Sequence, residues 1–486
     1  MNERLVCRLL GQLTGAFSLI LLVPLLAACV EDQENIYVFL ASVVCSGGLS
    51  YALYNYGISR PNQRLRNREA LVLVGCGWLM ICLLGALPYL WLGTMDPITA
   101  LFESVSGFTT TGITAASSYD DFPKSILVWR CLTSWCGGIG VIMLFIIIMP
   151  QVSGGTSTIF NAEVPGGFAE RTLPRIRKSA AMLCGMYLAL TCVEVLLLLL
   201  GGVPFYRAFN LAVATMSTGG FSFYHEDLVS FSSAYVQGVA MLFMLIASIS
   251  FPLYYRIFQK EWQSLREESE YKYYLAILGI AALLISVNLY LNDCADTLLD
   301  CCGLGLFHAI AIGSTTGFAT ADFSSWPSFS RYVLLTLMFI GGCSGSPAGG
   351  IKVSRMVVLG KAAWGELVRI LHPNIVSPIK LSGRTVEPGR VSNITRFFFL
   401  YILGFVVLTL LISLTGLSMF ESLGVIASCL SSVGPAFGSL GPTSTYAELS
   451  LYGRTVIIMA MLLGRLEFFT LLVILQPEFW NQKQNW

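Results

Sequence analysis

Four short clusters of glycine with threonine or serine recur along this chain of 486 residues, and each closes a weakly apolar stretch. They read Phe102-Glu-Ser-Val-Ser-Gly-Phe-Thr-Thr-Thr-Gly112, Phe209-Asn-Leu-Ala-Val-Ala-Thr-Met-Ser-Thr-Gly219, Phe307-His-Ala-Ile-Ala-Ile-Gly-Ser-Thr-Thr-Gly317 and Ile426-Ala-Ser-Cys-Leu-Ser-Ser-Val-Gly434. In the first three, a Phe stands ten residues before the glycine; the fourth keeps the Ser-X-Gly ending without it. The four glycines are 107, 98 and 117 residues apart. Glycine accepts the dihedrals that turn successive carbonyls the same way. Four such loops about one axis would form rings of carbonyl oxygens that replace the hydration shell of an alkali cation. The short helix before each loop would aim its negative end at the same place. One loop alone reads better as small residues packing helices closely. Four at near-constant spacing read as a pore.

Such loops need a membrane scaffold, and the composition supplies one. Hydrophobic residues make up 55% of the chain and charged residues only 12%. That is half the charge density of a soluble domain, which excludes a disordered chain, a coiled coil and a nucleic-acid binder. Apolar runs long enough to span a bilayer lie at 8–30, 36–57, 70–92, 124–149, 179–202, 231–256, 272–292, 330–358, 394–416 and 449–476. Shorter stretches at 97–109, 205–216, 303–314 and 417–430 carry the four clusters and suit re-entrant helices. The charges sort by side. Of 29 Lys and Arg, 23 fall in one set of connections: Arg4 and Arg8, Arg60 to Arg68, Arg171 to Lys178, Arg256 to Lys272, Lys352 to Arg396, and Lys483. The alternate connections hold Glu31, Asp32 and Glu34, Asp120 and Asp121, Glu226 and Asp227, and Asp293, Asp296 and Asp300. The positive-inside rule then puts both termini in the cytoplasm, provided each re-entrant stretch enters and leaves from the outer face. Leu26-Ala-Ala-Cys29 looks like a lipoprotein cleavage box, but an uncleaved first span is the simpler reading. The 14 Cys are scattered without metal-ligand spacing and read as free packing residues, Cys294, Cys301 and Cys302 included.

These segments resemble the Trk/Ktr/HKT superfamily of potassium transporters, and within it the bacterial Trk potassium-uptake membrane subunit. Beyond the four clusters, the resemblance rests on Gly341-Gly-Cys-Ser-Gly-Ser-Pro-Ala-Gly-Gly-Ile-Lys-Val-Ser-Arg355, His372-Pro-Asn and Leu463-Gly-Arg-Leu-Glu-Phe468. It extends over essentially the whole chain. It implies an all-α polytopic membrane protein with four M1-P-M2 repeats around one pseudo-fourfold pore, preceded by an N-terminal helix pair. The implied limits are 1–69 for that pair, then 70–177, 178–270, 271–391 (with a gating loop at 341–355) and 392–486. It implies potassium as substrate, a homodimer in the bacterial inner membrane, and gating by a cytoplasmic nucleotide-binding ring of the RCK type. Carried over residue by residue, the filter is Thr110-Thr111-Gly112, Ser217-Thr218-Gly219, Thr315-Thr316-Gly317 and Ser432-Val433-Gly434. Gly112, where sodium-favouring plant relatives carry serine, argues for potassium.

The run from Gly341 to Gly350 holds five glycines and Pro347, which no continuous helix tolerates. A phosphate-binding loop would need a Gly-Lys-Ser/Thr ending that is absent. A loop obstructing the pore under the filter fits better, with Gly345, Gly349, Gly350 and Lys352 as its candidate gate residues. Arg465 lies inside an apolar run and is expected to face the pore or anchor the loop. Glu467 is a neighbour in sequence that helical spacing does not bring face to face with it. Glu103 and Glu421 suit either cation attraction at the outer mouth or helix-end hydrogen bonding. His308 reads as structural. No nucleotide motif lies in the chain, so any nucleotide dependence belongs to a partner, for which 359–393 and Glu163 to Lys178 are candidate surfaces. An enzyme is not expected, since no nucleophile–base pair stands out. A less selective potassium/sodium pore is one alternative. A symporter coupled to sodium or protons is another, and Glu194 is the main carboxylate within a span that it would use.

Overall fold

The computed structural model describes residues 2–58, 67–117, 122–148, 173–221, 233–374 and 378–480, the side chains of 67, 141–148 and 173–180 excepted. Arg60 to Arg66, Asp120, Asp121, Glu163, Arg171, Glu226, Asp227 and Lys483 fall outside those residues, as do the side chains of Arg175, Arg177 and Lys178. The molecule is a membrane-spanning α-helical protein. Among the described residues, seven helical segments are long and apolar enough to cross a bilayer, and an eighth is a sharply bent pair.

The N-terminal pair is α1 (Glu3–Ile20), α2 (Leu22–Glu31) and α3 (Ile36–Tyr56). The break at Leu21 has a local cause. Pro24 has no amide to donate to Ile20, four residues back. The first repeat follows as α4 (Asn67–Gly85), α5 (Leu87–Leu92), the short α6 (Pro97–Phe108) and α7 (Lys124–Ile148). In the second, α8 (Leu173–Leu200) and the short α9 (Phe205–Met216) lead to α10 (Ala234–Ser248) and α11 (Phe251–Phe258). A connection with α12 (Gln263–Glu267) opens the third repeat: α13 (Glu270–Leu291), the short α14 (Leu298–Gly313), α15 (Ser328–Phe339) and α16 (Val353–Leu371). A small hairpin, β1 (Lys380–Leu381) with β2 (Arg384–Thr385), precedes the fourth: α17 (Pro388–Ser413), the short α18 (Met419–Ser431), α19 (Leu451–Leu475) and a terminal α20 (Pro477–Trp480).

Three of the four short helices are capped at their start by a side chain; α9 instead follows Pro204, which caps nothing. Asp96 caps α6 ahead of Pro97, Thr297 caps α14, and Ser418 with Glu421 makes a reciprocal capping box on α18. Their inner halves are sheathed by the longer helices. Trp129 of α7 packs edge-on against Phe17 and Phe108 and donates from its indole to the Gly85 carbonyl at 3.2 Å. Leu19, Leu26, Leu196, Leu283 and Leu410 instead lie exposed around the outside, as a lipid-facing surface requires.

One expected span is corrected. Residues 231–256 do not form one helix; α10 and α11 meet at 94°. Ile249 and Ser250 are extended between them, and Pro252 in the first turn of α11 cannot donate back across the break. The span at 330–358 is broken as its glycines foretold, between Phe339 and Val353.

Candidate functional site

The four short helices converge on four loops whose backbones follow one pattern. Thr110, Thr218, Thr315 and Ser432 have φ of 57°, 53°, 59° and 54°. Two residues later, Gly112, Gly220, Gly317 and Gly434 are also left-handed, at 78°, 59°, 76° and 108°. The loops close on one another. A methyl group built on Gly112 would lie 1.9 Å from the carbonyl oxygen of Gly219, and one on Gly220 would lie 1.8 Å from that of Thr316. One on Gly317 would lie 1.9 Å from the oxygen of Val433, and one on Gly434 would lie 2.6 Å from that of Thr111. Each repeat thus presses a glycine on the next repeat's carbonyl, and the fourth returns to the first. Only a residue without a side chain permits that approach with that backbone.

The ring corrects the second repeat by one residue. Thr110, Thr218 and Thr315 donate their amides to Gly107, Thr215 and Ile312, while Thr111, Gly219 and Thr316 donate to Ser106, Ala214 and Ala311. The matching triplet is therefore Thr218-Gly219-Gly220, and Ser217 drops out of it. Ser217 ends the helix and returns its hydroxyl to the Ala214 carbonyl, as Ser314 does to Ala311. The misleading signal was Phe209. Phe102 and Phe307 are buried, whereas Phe209 is only partly so and stands one position out of register. The pairing of Gly220-Phe221 with Gly317-Phe318 was the better guide.

Within the ring, Thr111 and Thr316 hydroxyls turn back on Thr109 and Ser314, each at 2.9 Å. Thr110 and Thr218 differ: both are fully buried, and their hydroxyls have no hydrogen-bond partner among the described residues. Buried hydroxyls without partners are costly unless something else supplies the contact. Oxygen atoms alone, from carbonyls and hydroxyls, suit a hard monovalent cation.

Behind the ring, side chains hold each loop. Glu103 of α6 accepts from the Thr114 hydroxyl at 2.6 Å and the Ala115 amide at 2.8 Å, and pairs with Arg130 of α7 at 3.3 Å. Arg130 in turn lies 4.5 Å over the ring of Phe221, which follows Gly220. His308, at the same place in α14, contacts the Leu304 carbonyl through Nδ1 and accepts from the Thr320 amide through Nε2. Glu421 accepts from the amide and hydroxyl of Ser439 at 2.7 and 2.8 Å. Glu103 and Glu421 therefore take the hydrogen-bonding reading, and His308 is structural. The Tyr446 amide donates to the Thr114 carbonyl at 2.8 Å, tying the fourth repeat to the first.

The segment between α15 and α16 packs against the inner side of this ring. The Gly349 amide donates to the Thr315 hydroxyl at 2.8 Å, and Gly349 lies so close to the Ser431 carbonyl that a methyl group would stand 2.1 Å from it. Gly345 and Gly350, at φ 81° and 68°, turn the chain. Lys352 donates back to the carbonyls of Ser346 and Ala348. Arg465 of α19 spans two repeats, donating to the Pro347 carbonyl at 2.9 Å and the Gly137 carbonyl at 2.6 Å. A left-handed kink at Glu467 sends that carboxylate to Arg355 at 2.7 Å. Reading the sequence alone missed three partners of this segment. Phe251 and Ser248, at the break between α10 and α11, exchange backbone bonds with Gly345 and Cys343, and Glu270 accepts from Ser344 and Ser354.

A ring of four loops with a glycine-rich segment packed against it has counterparts among known proteins. The family described as TrkH, cation transport protein, matches residues 49–286 and 303–482. The chain belongs to the TrkH family. Among its relatives, the Trk system potassium uptake protein TrkH of Halomonas elongata is 31% identical over 99% of this chain and all of its own length. The Escherichia coli K12 protein of the same description is 30% identical over the same shares. The crystal structure of the potassium transporter TrkH from Vibrio parahaemolyticus superposes with a TM-score of 0.88 at 30% identity, covering 99% of this chain and all of that one. Family membership accounts for the four-repeat arrangement. No disulfide is formed among the described residues, and Cys294, Cys301 and Cys302 are free thiols.

Proposed function

We propose that this chain conducts potassium inward across the bacterial inner membrane, through a filter made of Thr110-Thr111-Gly112, Thr218-Gly219-Gly220, Thr315-Thr316-Gly317 and Ser432-Val433-Gly434. The observation that carries the reading is the closed ring in which each repeat's glycine meets the next repeat's carbonyl. The relatives' description as potassium uptake proteins supports potassium over other cations. The repeats run 70–177, 178–270, 271–391 and 392–486, after a helix pair at 1–69. Both termini lie in the cytoplasm: the Asn2 amide bonds Glu69 at 2.7 Å and Arg68 lies 5.8 Å over the ring of Phe479, while Glu31 pairs with Lys124 at 2.6 Å at the opposite end of the bundle. The segment 341–355 is the gate, with Gly345, Gly349 and Gly350 allowing it to refold and Lys352 and Arg465 holding it shut. Its contact with the filter hydroxyl at Thr315 supports that role. The chain works as a homodimer under a cytoplasmic nucleotide-binding ring of the RCK type; the chain itself binds no nucleotide.

Expression in a bacterium deficient in potassium uptake tests the substrate. Growth in low-potassium medium, with sodium competing weakly, is the expected result, and no rescue by well-expressed protein refutes it. Deleting several residues within 343–349 tests the gate: potassium flux into proteoliposomes rises, and unchanged flux from folded protein overturns it. A second reading, coupled symport, has one observation in its favour. Glu194 is wholly buried in α8 beside Thr215 of the pore helix α9, where a carboxyl group is otherwise expensive. A reversal potential that follows the potassium gradient alone, in both wild type and Glu194→Gln, excludes it.

A further inference from the structure

Glu270 opens α13 and is buried, yet neither the filter nor the contacts of Arg465 involve it. Its Oε1 accepts three hydrogen bonds from the gating segment: the Ser344 amide at 2.7 Å, the Ser344 hydroxyl at 3.0 Å and the Ser354 amide at 3.0 Å. Ser344 lies on the limb that enters the loop and Ser354 in the first turn of α16, which leaves it. Their hydroxyls are 2.6 Å apart. One carboxylate oxygen thus closes the neck of the loop from outside, and the charge on the acceptor makes each bond stronger than a neutral one.

The two residues before Glu270 are bound to something else. The Ser382 hydroxyl donates to Glu268 at 2.7 Å, the Ser269 amide donates to the Ser382 hydroxyl at 3.1 Å, and the Ser382 amide donates to the Ser269 hydroxyl at 3.1 Å. Ser382 and Gly383, at φ 49° and 75°, form the tight turn of the hairpin β1–β2. The same hairpin is held at its other end by Lys361 of α16, whose ammonium donates to the Lys380 carbonyl at 2.8 Å. Three consecutive residues therefore grip the cytoplasmic hairpin with the first two and the gating loop with the third. No flexible linker separates the two grips, because helix α13 starts at Glu270 itself.

We propose that Glu270 is a positioning residue that staples the gating loop closed, and that Glu268, Ser269 and Ser382 make the cytoplasmic hairpin the handle that releases it. The proposal rests on reading 341–355 as the gate. Displacing the hairpin pulls on 268–269, rotates the first turn of α13, and withdraws the carboxylate from Ser344 and Ser354 together. The loop then loses its closed neck while the filter ring, bonded elsewhere, keeps its geometry.

The experiment is potassium flux through purified full-length protein in proteoliposomes, for Glu270→Gln, Ser382→Ala and the double variant, with the potassium-to-sodium permeability ratio measured alongside. Ser382 sits at a surface turn, so Ser382→Ala keeps the test alive if Glu270→Gln folds poorly. Basal flux is expected to rise about tenfold in Glu270→Gln, which weakens three bonds to a charged acceptor. A smaller rise is expected in Ser382→Ala, no further rise in the double variant, and an unchanged permeability ratio in all three. Additive effects in the double variant, or no effect of Ser382→Ala, overturn the linkage. Placing Glu270→Gln in the 343–349 deletion separates the two ideas. A deletion that does not raise flux defeats the gate reading itself. A deletion that raises flux, with Glu270→Gln still adding to it, defeats only the role of Glu270.

Discussion

Replacing Gly220 and Gly219 by alanine, one at a time, decides which residue of the second repeat belongs to the ring. At Gly220 the backbone is left-handed, where a β-carbon costs roughly 1–2 kcal/mol. Its methyl group would also stand 1.8 Å from the Thr316 carbonyl oxygen, against 3.4 Å for ordinary contact, so that oxygen must retreat by roughly 1.6 Å. A carbonyl oxygen bearing about half a unit charge, moved from about 3 to about 4.5 Å from a cation at an effective dielectric of about 20, loses about 1 kcal/mol of attraction. That is roughly a fivefold loss of affinity at one of four positions. Sodium also loses attraction to that oxygen, so the preference for potassium falls by at most about this factor. Gly219 is different: its φ is not left-handed, and the nearest atom to a methyl group there is the Ser134 hydroxyl, a side-chain end that can rotate. The assay is the reversal potential under bi-ionic conditions, with retention of the folded peak in size-exclusion chromatography as control. Gly220→Ala lowers the permeability ratio and Gly219→Ala changes it little, the more so when Ser134→Ala makes room. The reverse order would refute the register derived from the backbone.

Gly112→Ser in the first repeat meets the Gly219 carbonyl in the same way, so it too narrows the preference for potassium; equal permeability ratios before and after would contradict this. Arg465→Ala removes two guanidinium-to-carbonyl bonds, each worth about 1.5–3 kcal/mol, and basal flux rises by at least about tenfold. Single-channel open probability reads this directly, and an unchanged value removes Arg465 from the gate. Glu103→Gln removes the carboxylate that pairs with buried Arg130, a loss of up to about 3–5 kcal/mol, and lowers the melting midpoint of the detergent-solubilised protein. Glu103→Gln with Arg130→Met recovers most of the loss, because the pair is removed together; no recovery would mean that the two act separately.

Much of this architecture was legible in the sequence, for a physical reason. An apolar run of twenty residues can do little but cross a bilayer, and a left-handed loop under a short helix leaves glycine with no substitute. Arg465 could be singled out because an arginine at that depth has to meet carbonyls or a counter-charge. What escaped depends on groups distant in the chain. Glu270 serves Ser344 across 74 residues, and Arg355 takes Glu467 across 112. The kink that turns Glu467 toward Arg355 sits inside an unbroken apolar run without Pro. The bend between α10 and α11 was hidden because Ile249-Ser-Phe-Pro252 keeps the hydropathy high while breaking the helix. In the second repeat the Phe at 209 imitated the signature of its neighbours, and it outweighed the Gly220-Phe221 pair that keeps the register the backbone hydrogen bonds set.

The segment 341–355 meets the ring at the Thr315 hydroxyl and at the close approach of Gly349 to Ser431, and the first contact constrains how the proposed gate and filter can work. Thr110, Thr218 and Thr315 occupy equivalent places, but only Thr315 receives a backbone donor, from Gly349 of the loop. A hydroxyl that accepts from an amide has one lone pair fewer for an ion and directs its own proton elsewhere. In the proposed gate, the loop in this position weakens one of the innermost oxygens that the proposed filter offers a cation, while the hydroxyls of Thr110 and Thr218 stay available. Coupling of this kind is reciprocal: if closing the loop disfavours an ion at that level, an ion there disfavours the closed loop by the same free energy. In the proposed pore, potassium at the inner edge of the filter thus acts with the cytoplasmic hairpin, one on Gly349 and the other on Ser344. Four residues, Gly345 to Ala348, separate the two levers, and between them Phe251 holds the Gly345 carbonyl and Arg465 the Pro347 carbonyl.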